Sequence, residues 1–161
     1  MSLKLIFLFI IILVIKMDEN LELLEYLYKN SEMGVSTLTK MLDELQDKEN
    51  KIKLWASEAI KEYEKFYKKS SDLIKKYKMD VKGNSLMSKM GSNMGIKMEV
   101  MKDNSDAAMA HMIIEGVTMG LVDIETKINN YSDVVDGKIL SVAIDYKEAL
   151  KKQLETLKKY L

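Results

Sequence analysis

The single histidine of the 161-residue chain, His111, stands four positions before Glu115. On a helix that spacing brings both side chains to one face. An imidazole titrates near neutral pH and ligates metals, and a neighbouring carboxylate can share a ligand or pass a proton. His111 and Glu115 are therefore the candidate metal site or acid/base pair; the plainer alternative is a histidine at the edge of a core beside a surface glutamate. No third ligand and no nucleophile can be assigned. Cysteine is absent, which removes disulfides, thiolate metal sites and a cysteine nucleophile. All 25 basic residues are lysine, so the planar fork that grips phosphate at two points is missing too. No Walker loop, HExxH, GxSxG or EF-hand pattern occurs. These absences point to a chain with no catalytic residues and no cofactor.

Two further groups are candidates for contact rather than chemistry. Met87, Met90, Met94, Met98 and Met101 fall on one helical face, with Lys89, Asn93 and Lys97 elsewhere. Flexible thioethers suit an irregular groove or an adaptable surface for a protein partner; metal binding by methionine alone is the lesser reading. Ser31 with Gly34, and Gly116 with Gly120, are small residues inside helical stretches. An interior glycine costs about 1 kcal/mol relative to alanine, which is tolerated where a second helix must come close or a ligand pocket opens. Close helix–helix contact is the expectation, with Gly34 near Gly116 and Gly120 across a pair of antiparallel helices.

Proline is absent and helix formers dominate, so helices must position these residues. Ala110, Ile114, Val117, Leu121, Ile124, Ile128 and Tyr131 step alternately by four and three, the seam of a helix packed lengthwise. Ser105 is its N-cap, with Asp106 in the first turn. Leu24, Leu27, Ser31, Gly34, Leu38, Met41 and Leu45 form a similar seam over residues 18–45. Ile52, Ala56, Ala59, Tyr63, Phe66, Ser70, Leu73 and Tyr77 form one over 51–77, where buried tyrosine hydroxyls need partners. Ile139, Ala143, Tyr146, Leu150, Leu154, Leu157 and Leu161 form the last, capped by Ser132 or Asp136. The short polar turn 46–50 implies an antiparallel neighbour. Met33-Gly34-Val35 echoes Met119-Gly120-Leu121 at corresponding places in the two halves.

Leu5 to Ile15 is eleven apolar residues without interruption. As helix they reach about 17 Å, against about 30 Å of bilayer hydrocarbon. A signal-like core would fit, but no small-residue cleavage site follows. Three readings stay open: an uncleaved, weak membrane anchor; an apolar helix buried in the bundle or an oligomer; or a translated upstream region with the true start at Met17. The start-site reading is preferred, because residues 3–16 hold only Lys, Leu, Ile, Phe and Val, as AT-rich DNA would encode. The Met1-Ser2-Leu3 opening would equally suit a cloning remnant. Residues 1–16 are set apart from a four-helix-bundle domain of 17–161. The expected location is cytoplasmic, with membrane association through residues 5–15 as the alternative.

Formal net charge is zero, yet residues 18–47 carry −6, 48–78 +5, 103–136 −6 and 137–161 +3. Acidic and basic helices in alternation favour two antiparallel hairpins. They also break up the continuous basic face that nucleic acid requires. Two hairpins with a Met-Gly echo and a long connection resemble the ferritin-like four-helix bundles. EYLYKNSEMGVSTLTKML and MIIEGVTMGLVDI give the chain the look of the small uncharacterised bacterial bundles among them. The resemblance implies an all-α fold with a helical crossover over 79–104, preferred to an up-down-up-down order because of that connection. It does not carry over the paired Glu-x-x-His iron ligands: Ala108 stands three before His111, and Ser31, Gly34, Val117 and Leu121 occupy inward positions. The expected function is a non-enzymatic structural or interaction protein, self-associating or bound to a protein partner, with the methionine and small-residue faces as contact surfaces. A metal- or small-ligand-binding bundle centred on His111 and Glu115 is one alternative, and a membrane-tethered bundle another.

Overall fold

Ser105 and Asp136 begin two helices as their side chains dictate. In the computed structural model, which describes residues 2–81 and 102–161, Ser105 accepts from the Ala108 N–H and Asp136 from the Lys138 N–H. Each satisfies a donor that a helix start leaves open. Among the described residues four long helices result: α1 (Leu3–Glu44), α2 (Ile52–Lys76), α3 (Asp106–Tyr131) and α4 (Gly137–Leu157), with a 3-10 turn at Lys158–Tyr160. No strand occurs among them, as the all-α reading requires. The face from Met87 to Met101, and most of the 79–104 crossover, lie outside the described residues.

The apolar seams become the core. Leu24, Leu27, Leu38, Met41 and Leu45 are buried, as are Ile52, Ala56, Ala59, Tyr63 and Phe66, and Ile139, Ala143, Tyr146, Leu150 and Leu157. α3 is rolled from its expected seam. Met109, Met112 and Ile113 are buried with Ala110, Val117 and Ile124, whereas Ile114, Leu121 and Ile128 are only partly so. Its apolar residues spread over more than one stripe, so spacing alone does not select the inward one. In α4, Gln153 is buried in preference to Leu154, and Leu161 is exposed.

Contacts between helices establish their directions. α1 with α2, and α3 with α4, form two hairpins. Glu22 meets Lys127 and Tyr131, and Tyr26 one turn later meets Gly120, so α1 and α3 are antiparallel. Trp55, Tyr63 and Lys69 meet Thr156, Gln153 and Asp145 in descending order, so α2 and α4 are antiparallel as well. α2 and α3 start side by side. The Asp106 carboxylate accepts from Asn50 Nδ2 (3.0 Å) and from the Lys51 and Ile52 N–H groups (3.1 and 3.2 Å). One carboxylate of α3 thus caps the positive end of α2. Because α2 and α3 point the same way, residues 81 and 102 lie toward opposite ends of the bundle.

The α1–α3 pairing brings two acidic helices together. Lys127, the one lysine within 103–136, sits at that seam. Its Nζ is 2.6 Å from Glu22 Oε1 and stands over the rings of Tyr26 (5.4 Å) and Tyr131 (6.0 Å). Lys127 and the Tyr131 hydroxyl together hold the Glu22 carboxyl below its ordinary pKa.

The helix boundary expected near Asp18 is absent. α1 runs unbroken from Leu3 to Glu44, since neither Gly nor Pro interrupts the passage from the apolar run into the bundle. Residues 2–18 are exposed, and those from Leu5 to Ile15 range from 37% to 67% exposed. Burial of this run in the bundle core is therefore corrected. Full burial begins only at Leu23 and Leu24, and residues 3–18 project from the bundle as a stem of about 24 Å.

Candidate functional site

Midway along the bundle the four helices place uncharged polar groups inward. Tyr146 of α4 is fully buried and donates its hydroxyl to Asn30 Oδ1 of α1. Tyr26 of α1 donates to the Gly120 carbonyl of α3 at 3.0 Å. Tyr63 of α2 donates to Gln153 Oε1 of α4 at 2.9 Å, and the Gln153 amide donates onward to Glu62 Oε2 at 3.3 Å. Ser31, fully buried, donates to the Leu27 carbonyl of its own helix at 2.6 Å. The rings interlock too: Phe66 meets Tyr146 edge-on with centroids 5.1 Å apart, and Tyr63 tilts against Tyr146 at 6.3 Å. Each of these tyrosine hydroxyls has the partner that burial demands. Burial pushes the phenols of Tyr26, Tyr63 and Tyr146 far above their ordinary pKa, so all three remain neutral donors.

Gly34 makes room for this layer. A Cβ at residue 34 would stand 2.7 Å from three ring carbons of Tyr63. Gly34 therefore serves α2, not the α1–α3 contact expected of it; the Tyr63 ring fills the space. Gly120 does face α1. A Cβ there would lie 3.5 Å from Asn30 Oδ1 and from Leu150 Cδ1 of α4. Gly116, one turn earlier, is half-buried. Ser31 and Gly120 are enclosed by the bundle, so these small residues offer no outer contact surface.

His111 and Glu115 are placed on the outside of α3, both exposed, and neither belongs to the layer. Among the described residues no three His, Asp or Glu side chains are grouped to hold a metal ion. Where Gln153 and Glu62 approach the surface, a groove of about 430 Å³ opens between α2 and α4. Trp55 lines it, its Nε1 donating to Thr156 Oγ1 at 2.8 Å. Glu58, Lys61, Lys65 and Lys152 complete the rim, where Lys61 pairs with Glu58 at 2.9 Å.

Comparison with protein-family models, with curated proteins and with solved structures finds no match. The site must therefore be understood from its own groups. Spacing identifies Tyr63, Tyr146 and Ser31 as inward residues. Asn30 and Gln153 escape it, because Ser31 and Leu154 beside them fit the same steps. The available signal is a polar residue three or four positions from a buried one, on a helix facing tyrosines. Among the described residues, α3 alone is long and apolar enough to cross a membrane by length and composition, and 39% of its most apolar window is buried. A helix contributing to a bundle core passes the same test.

Proposed function

We propose that this chain is a non-enzymatic bundle of ferritin-like topology that works as a structural or interaction protein. The neutral layer carries that reading. Where a ferritin-like oxidase gathers inward carboxylates and histidines, this chain has Tyr26, Asn30, Tyr63, Tyr146 and Gln153, tied across the helices by hydrogen bonds. Such groups supply no anionic ligand set; once satisfied, they specify helix register instead. The topology is supported by the antiparallel pairs α1–α3 and α2–α4, with α2 and α3 starting together. Self-association or a protein partner would draw on exposed apolar side chains of the bundle, Leu54, Met119, Val122 and Ile144, which are 40–73% exposed. Purified protein given ferrous iron and oxygen is expected to show no ferroxidase activity and no stoichiometric iron. Two irons retained per chain, and lost on Glu115→Ala, would overturn the reading. Light scattering on gel-filtered protein reports self-association separately.

A further inference from the structure

Among the described residues, the stem of α1 has no partner in the bundle. Each residue from Leu5 to Ile15 is apolar and at least 37% exposed, so the stem is apolar on every side. A helix that docks in a protein groove is apolar along one stripe and polar opposite; the stem has no polar face. Two copies pairing stem to stem would use about three or four seam positions over this length. That contact falls well short of the ~800 Å² per partner of a stable complex, and it would leave the outer sides of both stems in water. A surrounding that is apolar in all directions accommodates the whole circumference. Charge complements this at both ends. Lys4 and Lys16 bracket the run, where their alkyl chains can follow apolar surface while the ammonium groups reach lipid phosphates. The run itself reaches about 17 Å, so its lysines must extend outward and the bilayer thin locally to accommodate it.

We infer that Leu5–Ile15 inserts as a helix into the hydrocarbon of a lipid bilayer and tethers the bundle to the membrane surface. This assignment is independent of whether the bundle binds iron. The test is flotation of the full chain, diluted from mild detergent, with neutral phosphatidylcholine vesicles. The protein is expected to float with the vesicles and to stay with them through high salt and an alkaline carbonate wash. A Phe9→Lys/Ile12→Lys double variant places two charges mid-run and is expected to lose about a hundredfold or more in partitioning. Both positions are exposed, so its thermal midpoint should match that of the parent, which separates lost insertion from lost folding. Three results overturn the inference. The first is parent protein that stays in the aqueous fraction as a defined oligomer. The second is a double variant that floats as well as the parent. The third is binding confined to anionic vesicles and abolished by salt.

Discussion

Replacing Gly34 by alanine sets two effects against each other. Helix propensity favours alanine by about 1 kcal/mol, but the added carbon would meet the Tyr63 ring at 2.7 Å, close to the root of that side chain. A ring held at its base cannot swing aside cheaply, so overpacking of about 1–3 kcal/mol should prevail. Chemical denaturation of Gly34→Ala is expected to show a net loss. Gly120→Ala is expected to be neutral or stabilising by up to about 1 kcal/mol, because its nearest neighbours stand at ordinary contact distance, 3.5 Å. Reversal of that order would mean the layer is packed differently. At this scale the sequence is legible where a residue type is costly without a reason. Gly34 and Gly120 stand out for that cause, and both meet close neighbours. That Gly34 meets α2 rather than α3 was not legible, because a missing side chain does not name what fills its place. His111 and Glu115 stand out by chemistry alone, and both lie outside the layer.

Asp106 joins two elements that lie far apart in sequence. Its carboxylate caps the start of α2 through the Lys51 and Ile52 N–H groups and holds Asn50. Asp106→Ala is expected to cost about 1–2 kcal/mol, the range for loss of a helix cap. Amide exchange in the first turn of α2 should accelerate more than in α4. Equal acceleration in both would show global destabilisation rather than loss of a cap. The helices themselves were legible because a seam of period 3.5 persists over each of them. The roll of α3 was not: Met109, Met112 and Ile113 make a second stripe as apolar as the first. Charge order along the chain favours neighbours in sequence, so charge did not signal the pairing of two acidic helices; the Met-Gly echo did point to that pair. Lys127 bridging to Glu22 is the local solution.

Over the whole molecule, the buried tyrosines set an alkaline limit to stability. Tyr26, Tyr63 and Tyr146 have folded-state pKa values above the ordinary 10.0. A raised folded pKa contributes stability that is complete below the unfolded pKa and is lost as pH rises beyond it. The fold is expected to hold to about pH 10 and weaken steeply above. Tyrosinate absorbance from the buried rings should appear only together with loss of helical circular dichroism. Ionisation of all eight tyrosines with helicity intact would contradict the buried layer. At the acid limit the sign reverses. The Lys138 N–H and the Tyr77 hydroxyl hold the Asp136 carboxyl below its ordinary value, so its contribution is present above the unfolded pKa and fades as pH falls. The stem adds a consequence of another kind. α1 passes from stem to bundle without a joint, and a helix turns about 100° and climbs about 1.5 Å per residue. A stem that is alike at every azimuth ignores the turn and registers only the climb. Seated in a bilayer as inferred above, it would act as a mast, setting the height of the bundle while leaving its compass heading free.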